Sequence, residues 1–375
     1  MRSSRWVLTP SPESVRPVIY HCVSRVVNKR FAFKADEKEK LRMFIRMYEN
    51  FSGCRVLAYC FMCNHVHLLL EVTPMPVEGF SDDALLGRLK AIYTEAFVAE
   101  VGKELAEARK QVAAGKGVES VLVLVGRIHA RFTYRMHDLS EFMKGFMQRY
   151  TQWHNRIHKR SGHLWEDRFR SVIVEDGVAA KTMAAYIDLN PVRAGMVKNP
   201  EEYRWSSYGE AIGGGAKGDG KKARAGLVRA VRAHKGVAAD PAFWKGDVAL
   251  EYRKILLAGL GERVEERVDR SGELKKITKR KGLTSEELAV EKQRLLDAEE
   301  KRMGELPFGR MLRCRVRYFT AGAVIGSRGF VDAVFENARH RFGPKRKSGA
   351  RKLRGTAAAA AGLLWSLRDL QKRED

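Results

Sequence analysis

Short runs of β-branched and apolar residues recur through the first half of the chain, and amphipathic stretches lie between them. The runs combine Val, Ile, Tyr and Cys with few charges, which is typical of strands buried on at least one face. Four strands are therefore predicted, at residues 17–26, 54–62, 64–72 and 169–176. A tight turn near Met62–Asn64 separates the second strand from the third.

Helical periodicity occupies the stretches between these strands. Residues 36–51, 138–160 and 177–189 are predicted helices, and Asp138 followed by Glu141 forms a capping box that opens the second of them. Without the insertion described next, the order is β-α-β-β-α-β-α. This order predicts an α+β fold with a ferredoxin-like (RRM-like) antiparallel sheet and one extra helix.

Changes in composition divide the rest of the chain. Residues 1–211 would form the α+β domain, with a helical insertion at about 80–138. Residues 212–239 are rich in Gly and Lys and predict a flexible linker. Residues 240–354 indicate an all-helical, basic accessory region, and residues 355–375 an alanine-rich tail that is a surface helix or poorly ordered.

The charge of the chain points to a polyanionic partner. Seventy Lys and Arg residues against 45 Asp and Glu give a formal net charge of +25, with a pI near 10.0. Nucleic acid is the usual partner of such a chain, and an anionic membrane surface is the weaker alternative. The longest aliphatic run, residues 121–125, is far too short to span a bilayer. The N-terminus has no apolar signal region, and five cysteines do not make a disulfide framework. We therefore expect a cytoplasmic protein associated with the nucleoid.

Two histidines stand one residue apart at the start of the third predicted strand. Side chains at positions i and i+2 of a strand project from the same face, so His65 and His67 point the same way. Two neutral imidazoles so placed suit a divalent metal ion. Ordinary strand histidines with polar partners are the simpler reading. A zinc site that adds Cys60 and Cys63 is a further alternative, but the segment lacks the loop that such a site needs.

A helix further along offers a third ligand and a nucleophile. Tyr186 and Asn190 are four residues apart, so both lie on one helical face. The simpler reading takes Tyr186 as a half-buried aromatic and Asn190 as the helix end before Pro191.

Several separated blocks together resemble the REP-associated tyrosine transposases, which are single-tyrosine HUH endonucleases related to insertion-sequence transposases. The blocks keep the family's order and cover about residues 17–211. They are YHCVSRVVNKRFAF (20–33), AYCFMCNHVHLLLEV (58–72), FMQRYTQWHNRIHKRSGHLWEDRFRSVIVED (146–176), YIDLNPVRAGMV (186–197) and YRWSSYGEA (203–211).

The resemblance implies roles for individual residues. His65 and His67 match the paired metal ligands of the family, Asn190 the position of its third ligand, and Tyr186 its nucleophile. The family usually has proline where this chain has Cys63, which alters the turn but no ligand. By the same resemblance, Tyr186 would form a covalent 5′-phosphotyrosine on REP-like hairpin DNA.

The chemistry of these residue types agrees with that role. A divalent ion, Mg²⁺ or Mn²⁺, would polarise the phosphate, and imidazole ligands slightly favour Mn²⁺. The covalent link would conserve the energy of the phosphodiester, so that rejoining needs no ATP. The competing hypothesis is a non-catalytic regulatory protein that binds DNA or RNA hairpins. A rolling-circle initiator is a third option, but no P-loop spacing is present.

Aromatic and basic residues near the fourth strand are candidates for contact with single-stranded or hairpin DNA. Trp165, Arg168, Arg170 and Arg193 could stack on bases and hold phosphates, although Trp165 is as well suited to a core position. Residues 310–343 could form a unit like a helix-turn-helix, with Ser327 capping its last helix. The sequence does not distinguish a monomer from a homodimer.

Overall fold

The computed structural model describes most of the chain, and every structural statement below concerns the described residues. These are residues 16–113, 118–213, 219–232, 239–244, 247–260, 263–268, 274–280, 282–297, 317–320, 322–353 and 364–367. None of the helices in these ranges has the length and apolar character needed to cross a membrane.

Helices and strands are interspersed along the chain. The strands are β1 (Val18–Arg25), β2 (Arg55–Phe61), β3 (His65–Val72), β4 (Arg170–Val174), β5 (Arg263–Val268), β6 (Leu274–Arg280), β7 (Val324–Gly326), β8 (Arg351–Lys352) and β9 (Trp365–Leu367). The helices are α1 (Ala35–Ser52), α2 (Asp82–Leu89), α3 (Glu95–Ala113), α4 (Val118–Thr133), α5 (Leu139–Ile157), α6 (Val178–Asp188), α7 (Asn190–Arg193), α8 (Ser207–Gly213), α9 (Asp219–Arg232), α10 (Asp247–Leu260), α11 (Ser285–Asp297), α12 (Arg317–Thr320) and α13 (Arg328–Asn337).

Seven strands form one sheet in the order β2-β3-β1-β4-β7-β9-β8. The four predicted strands make its first part, where all neighbours are antiparallel. The mixed α+β fold is therefore confirmed. In this part Arg25 pairs with His65 and Val23 with His67, so the ends of β1 and β3 that carry polar side chains lie side by side.

Side chains that alternate along the strands fill a core on each face of the sheet. Tyr20 and Cys22 of β1 join the core under α1 and α5, whereas Ile19 of the same strand joins the core under α6, α9 and α10. This period of two follows from the pleat. Because helices cover both faces, the strands are apolar nearly throughout.

The stretch predicted as a helical insertion contains α2, α3 and α4. Ser81 caps α2, since its hydroxyl accepts a hydrogen bond from the backbone N–H of Ala84. Asp82 in the first turn of α2 pairs with Arg109 of α3 and also accepts a hydrogen bond from His129 of α4. One carboxylate therefore ties the three helices together.

The prediction of a flexible linker at 212–239 was wrong for residues 219–232, which form α9. Leu227 and Val228 of this helix are fully buried. Arg229 contacts Glu71 of β3 at 2.5 Å. Glycine and lysine residues suggested a linker, but the apolar residues between them lie on one face of a helix. Packing of that face on the sheet outweighs the low helix propensity of glycine.

The prediction of an all-helical region at 240–354 was also wrong. The described residues include a β5-β6 hairpin and the strands β7 and β8, and β9 lies within the predicted tail. The segment RVEERV of β5 is rich in residues that favour helices, so local propensity misled the assignment. Strand β7 lies between α12 and α13, where a turn was expected in the proposed unit at 310–343, and residues 310–316 and 321 of that unit lie outside the described residues. Ser327 does cap α13, as predicted. Residues 355–363 and 368–375 of the tail lie outside the described residues.

The predicted boundary at residue 211 does not divide the sheet. Strand β7 runs parallel to β4, with Ile173 opposite Val324, and β9 and β8 continue the sheet beyond it. Strands β7, β9 and β8 therefore extend the α+β core, α12 packs against β1 and β4, and the β5-β6 hairpin forms a separate sheet.

Candidate active site

A cavity of about 340 Å³ opens where β1 ends and β3 and β4 begin. Helices α6, α7 and α12 complete its wall. Its lining residues are Val23, Ser24, Arg25, His65, His67, Glu166, Asp167, Arg168, Arg170, Tyr186, Asn190 and Thr320. All four residues assigned to the chemistry from the sequence, His65, His67, Tyr186 and Asn190, therefore border the same space.

The two histidines of β3 are neutral at neutral pH. Their ring centroids are 5.0 Å apart, as the shared strand face requires. Burial, together with the charge of Arg25, lowers the pKa of His65 to about 4. Burial also holds the pKa of His67 well below its ordinary value. Neutral imidazoles can act as metal ligands, whereas protonated ones cannot.

A neighbouring side chain fixes the tautomer of His65. Asn64 donates from its Nδ2 to the carbonyl of Lys29 at 3.0 Å, which orients the amide. Its Oδ1 therefore accepts from His65 Nδ1–H at 2.7 Å. A neutral imidazole carries one proton, so Nε2 of His65 keeps its lone pair.

Tyr186 projects from α6 toward the sheet, and only 1% of its surface is exposed although it borders the cavity. Its ring centroid lies 6.1 Å from that of His67. The ring of Phe319 stacks on the Tyr186 ring, with a centroid distance of 4.4 Å. The guanidinium of Arg193 lies 4.6 Å from the Tyr186 ring centroid. The phenol is thus held between three side chains at the edge of the cavity.

Asn190 follows the end of α6 and is the first residue of the short helix α7, with Pro191 after it. Its Nδ2 donates to the carbonyl of Tyr186 at 3.1 Å and to that of Ile187 at 3.2 Å. Both amide hydrogens are used in this way, so Oδ1 remains as the acceptor. The residue therefore has an oxygen to offer to the cavity that it borders.

These donors suit a small divalent cation. Nε2 of His65, an imidazole nitrogen of His67 and Oδ1 of Asn190 form a set of neutral ligands of the kind that Mn²⁺ and Mg²⁺ accept. Among the residues that the structure describes, no three His, Cys, Asp or Glu side chains form a metal-binding group. The two cysteines of the zinc alternative lie outside the cavity lining: Cys60 contacts Met62, and the Cys63 thiol accepts a hydrogen bond from Lys38.

The four residues proposed to contact DNA fall into two pairs. Arg168 and Arg170 are exposed and line the cavity. Trp165 instead packs between Phe33 and Tyr150 and donates to Thr151 at 3.0 Å. Arg193 donates to the carbonyl of Tyr186 at 3.2 Å and lies outside the cavity lining.

Sequence reasoning missed His21 and Phe319. His21 is fully buried on β1, and its Nε2 lies 3.0 Å from His67 Nδ1. Alternation along antiparallel strands puts His21 on the face that carries His67, so the pattern contained this signal. No local signal indicated Phe319. It belongs to α12, and the position of α12 depends on the neighbouring strand β7, which was not predicted.

Comparison with known families finds a similarity to transposases in one part of the chain. Residues 14–79 match the family model described as IS200-like transposase. This segment is similar to IS200-like transposases. The resemblance to tyrosine transposases is thereby confirmed for the segment that carries His65 and His67. The match ends before Tyr186 and Asn190.

A solved REP-associated tyrosine transposase, bound to a REP hairpin, is among the structures that match. The identity is 11% and the TM-score 0.33, over 58% of this chain and 89% of that one. No curated protein matches the chain.

Proposed function

We propose that the protein is a metal-dependent DNA endonuclease and strand transferase that uses Tyr186 as its nucleophile. The observation that carries the proposal is that Tyr186, two neutral histidines and an amide side chain border a single cavity. The IS200-like match of residues 14–79 supports it, and so does the strand order β2-β3-β1-β4, which is that of a ferredoxin-like sheet.

In the proposed reaction, the Tyr186 oxygen attacks the phosphorus of a DNA phosphodiester. A new oxygen–phosphorus bond forms as the bond to the 3′ oxygen breaks. The phenol proton leaves to solvent, and the 3′ oxygen takes up a proton from solvent. The products are a 5′-phosphotyrosine and a free 3′-hydroxyl, and the reverse reaction joins another 3′ end.

The remaining residues would bind and orient the substrate. His65, His67 and Asn190 would hold Mg²⁺ or Mn²⁺, which supplies Lewis-acid polarisation of the phosphate when bound. Arg168 and Arg170 at the rim would contact phosphates of single-stranded or hairpin DNA. Arg193 and Phe319 would hold the phenol ring in place.

Replacement of Tyr186 by Phe tests the nucleophile. We expect Tyr186→Phe to lose all covalent capture of a 3′-labelled DNA hairpin while the binding of that hairpin is unchanged. Tyr134→Phe is the matched control, because Tyr134 is exposed on another part of the surface. The measurement is denaturing gel electrophoresis of protein and label in Mn²⁺ and in EDTA. Continued capture by Tyr186→Phe would overturn the assignment.

One observation favours a second candidate, a hairpin-binding protein without catalysis. The Tyr186 ring is almost fully buried and stacked on Phe319, so a phosphodiester reaches it only through the cavity. Hairpin binding without cleavage in either Mg²⁺ or Mn²⁺ would favour this candidate.

A further inference from the structure

Three buried groups form a chain of hydrogen bonds behind the cavity. His21 Nδ1 lies 2.7 Å from the backbone carbonyl of Phe319. His21 Nε2 lies 3.0 Å from His67 Nδ1. The rings of the two histidines are stacked, with centroids 5.2 Å apart. The chain thus links α12 to β1 and β1 to β3.

The carbonyl at one end sets the direction of every bond in the chain. A carbonyl can only accept, so His21 Nδ1 carries a proton. His21 is fully buried, and the bonding partners of its two ring nitrogens are a carbonyl and an imidazole and not a carboxylate, so the ring is neutral and Nε2 is an acceptor. His67 Nδ1 must then donate to it. His67 is buried as well, and a neutral imidazole carries one proton, so its proton is on Nδ1 and its lone pair on Nε2.

We propose that His21 is a positioning residue, which accepts the Nδ1 proton of His67 and so keeps the Nε2 lone pair of His67 available to the cavity. The inference rests on the proposed function for the role of His67 as a ligand. His21 itself touches neither metal nor DNA, since it is fully buried and does not line the cavity.

This role parallels that of Asn64 beside His65. Each ring has its Nδ1 proton accepted by a neighbour, and each neighbour is oriented by a backbone carbonyl, that of Lys29 for Asn64 and that of Phe319 for His21. Partners that fix the orientation and tautomer of a metal-bound histidine commonly change metal affinity 10- to 100-fold when removed. Phe319 is 298 residues away from His21 in the chain, so α12 helps to complete the site.

Two amide substitutions test the two hydrogen bonds of His21 independently of each other. The amide of Asn occupies the place of Nδ1, so His21→Asn keeps the bond to Phe319 and loses the acceptor for His67. The amide of Gln reaches the place of Nε2, so His21→Gln retains an acceptor for His67. Both variants are polar and similar in size, and thermal unfolding checks that both are folded.

The first readout is the tautomer of His67 in the metal-free full chain. Long-range ¹H–¹⁵N correlation spectra of histidine-labelled protein distinguish a protonated Nδ1 from a protonated Nε2. We expect Nδ1–H in the wild type and in His21→Gln, and a mixture of both tautomers in His21→Asn. A wild-type His67 protonated on Nε2 overturns the proposal without any variant.

The second readout is Mn²⁺ affinity, measured from the electron paramagnetic resonance signal of free Mn²⁺. We expect binding to weaken about 10- to 100-fold in His21→Asn and to stay within about threefold of the wild type in His21→Gln. Equal affinity in His21→Asn and the wild type contradicts the positioning role. If the wild type binds no Mn²⁺, the proposed metal dependence fails, while the tautomer spectra still decide the inference about His21.

Discussion

Asp188 lies two residues after the candidate nucleophile and is fully buried. Its carboxylate accepts a hydrogen bond from the Tyr252 hydroxyl at 2.6 Å and one from the Tyr208 backbone N–H at 3.1 Å. It therefore ties the end of α6 to α8 and α10. Burial raises the pKa of Asp188 to about 7, and these hydrogen bonds offset only part of that rise.

The raised pKa predicts a pH-dependent stability. The folded state binds the Asp188 proton up to about pH 7, whereas the unfolded chain releases it near the ordinary value of 3.8. The stabilisation present below that value is lost as the pH rises to about 7. Relative to Asp188→Asn, the free energy of unfolding of the wild type should fall by up to about 1.4 kcal/mol per pH unit between pH 5 and 7 and level off above that.

Urea unfolding of both proteins at pH 5, 6, 7 and 8 measures this difference. The Asn variant serves as the reference because it cannot titrate, so shared contributions of other groups cancel. A constant difference across the range would mean that Asp188 stays ionised in the folded protein.

Among individual residues, the sequence predicted those whose spacing matches the period of a strand or a helix. His65 and His67 share a strand face, and Tyr186 and Asn190 share a helix face, so both pairs followed from periodicity. The partners of these residues did not. Phe319 comes from a segment more than a hundred residues away from each of them, and no local rule encodes such a contact.

Helix α9 shows how an element can be concealed by its composition. Gly226 faces β2 so closely that a Cβ at this position would collide with the carbonyl oxygens of Val56 and Leu57. Leu57 is the unpaired residue at the irregular step between Val56 and Ala58 in the β2-β3 pairing. Glycine is therefore required here by close packing, although in the sequence it reads as a linker residue.

Substitution of Gly226 by Ala should destabilise the protein by about 1–3 kcal/mol, because the helix must move away from the strand. Gly126→Ala is the matched control. Gly126 also lies inside a helix, but nothing stands near its missing Cβ, so alanine should add about 0.5–1 kcal/mol. Chemical denaturation of both variants measures the two changes. A neutral Gly226→Ala would mean that α9 packs less closely on β2.

The elements that were predicted correctly have clear local patterns. Strands β1 to β4 are apolar runs, and α5 begins at a capping residue, Asp138, whose side chain accepts from the Glu141 backbone N–H. The strands β5 to β9 lacked such patterns. Three of them have only two or three residues, and β7 is defined by its pairing with β4, which lies far earlier in the chain.

The net charge of +25 is a property of the whole molecule, and it predicts how DNA binding depends on salt. Binding of hairpin DNA by so basic a chain should weaken steeply as salt rises, because each phosphate contact releases counterions. Arg168→Ala and Arg170→Ala should each lower the slope of log affinity against log salt by about 1. Arg131→Ala should leave the slope unchanged, since Arg131 lies in the insertion and is paired with Glu104.

Fluorescence anisotropy of a labelled hairpin between 50 and 200 mM salt measures these slopes. Equal slopes for the wild type and both cavity variants would show that the DNA does not approach the rim of the cavity. A lower slope for Arg131→Ala would instead locate part of the DNA on the insertion.

The parallel pairing of β4 with β7 has a consequence for the order of events on the ribosome. Strand β4 is synthesised about 150 residues before β7, and its outer backbone groups have no strand partner in the meantime. An unpaired strand edge invites association with other chains. A nascent chain that stalls after residue 211 would expose that edge for as long as it stalls, so translation speed through the second half should govern the yield of native protein.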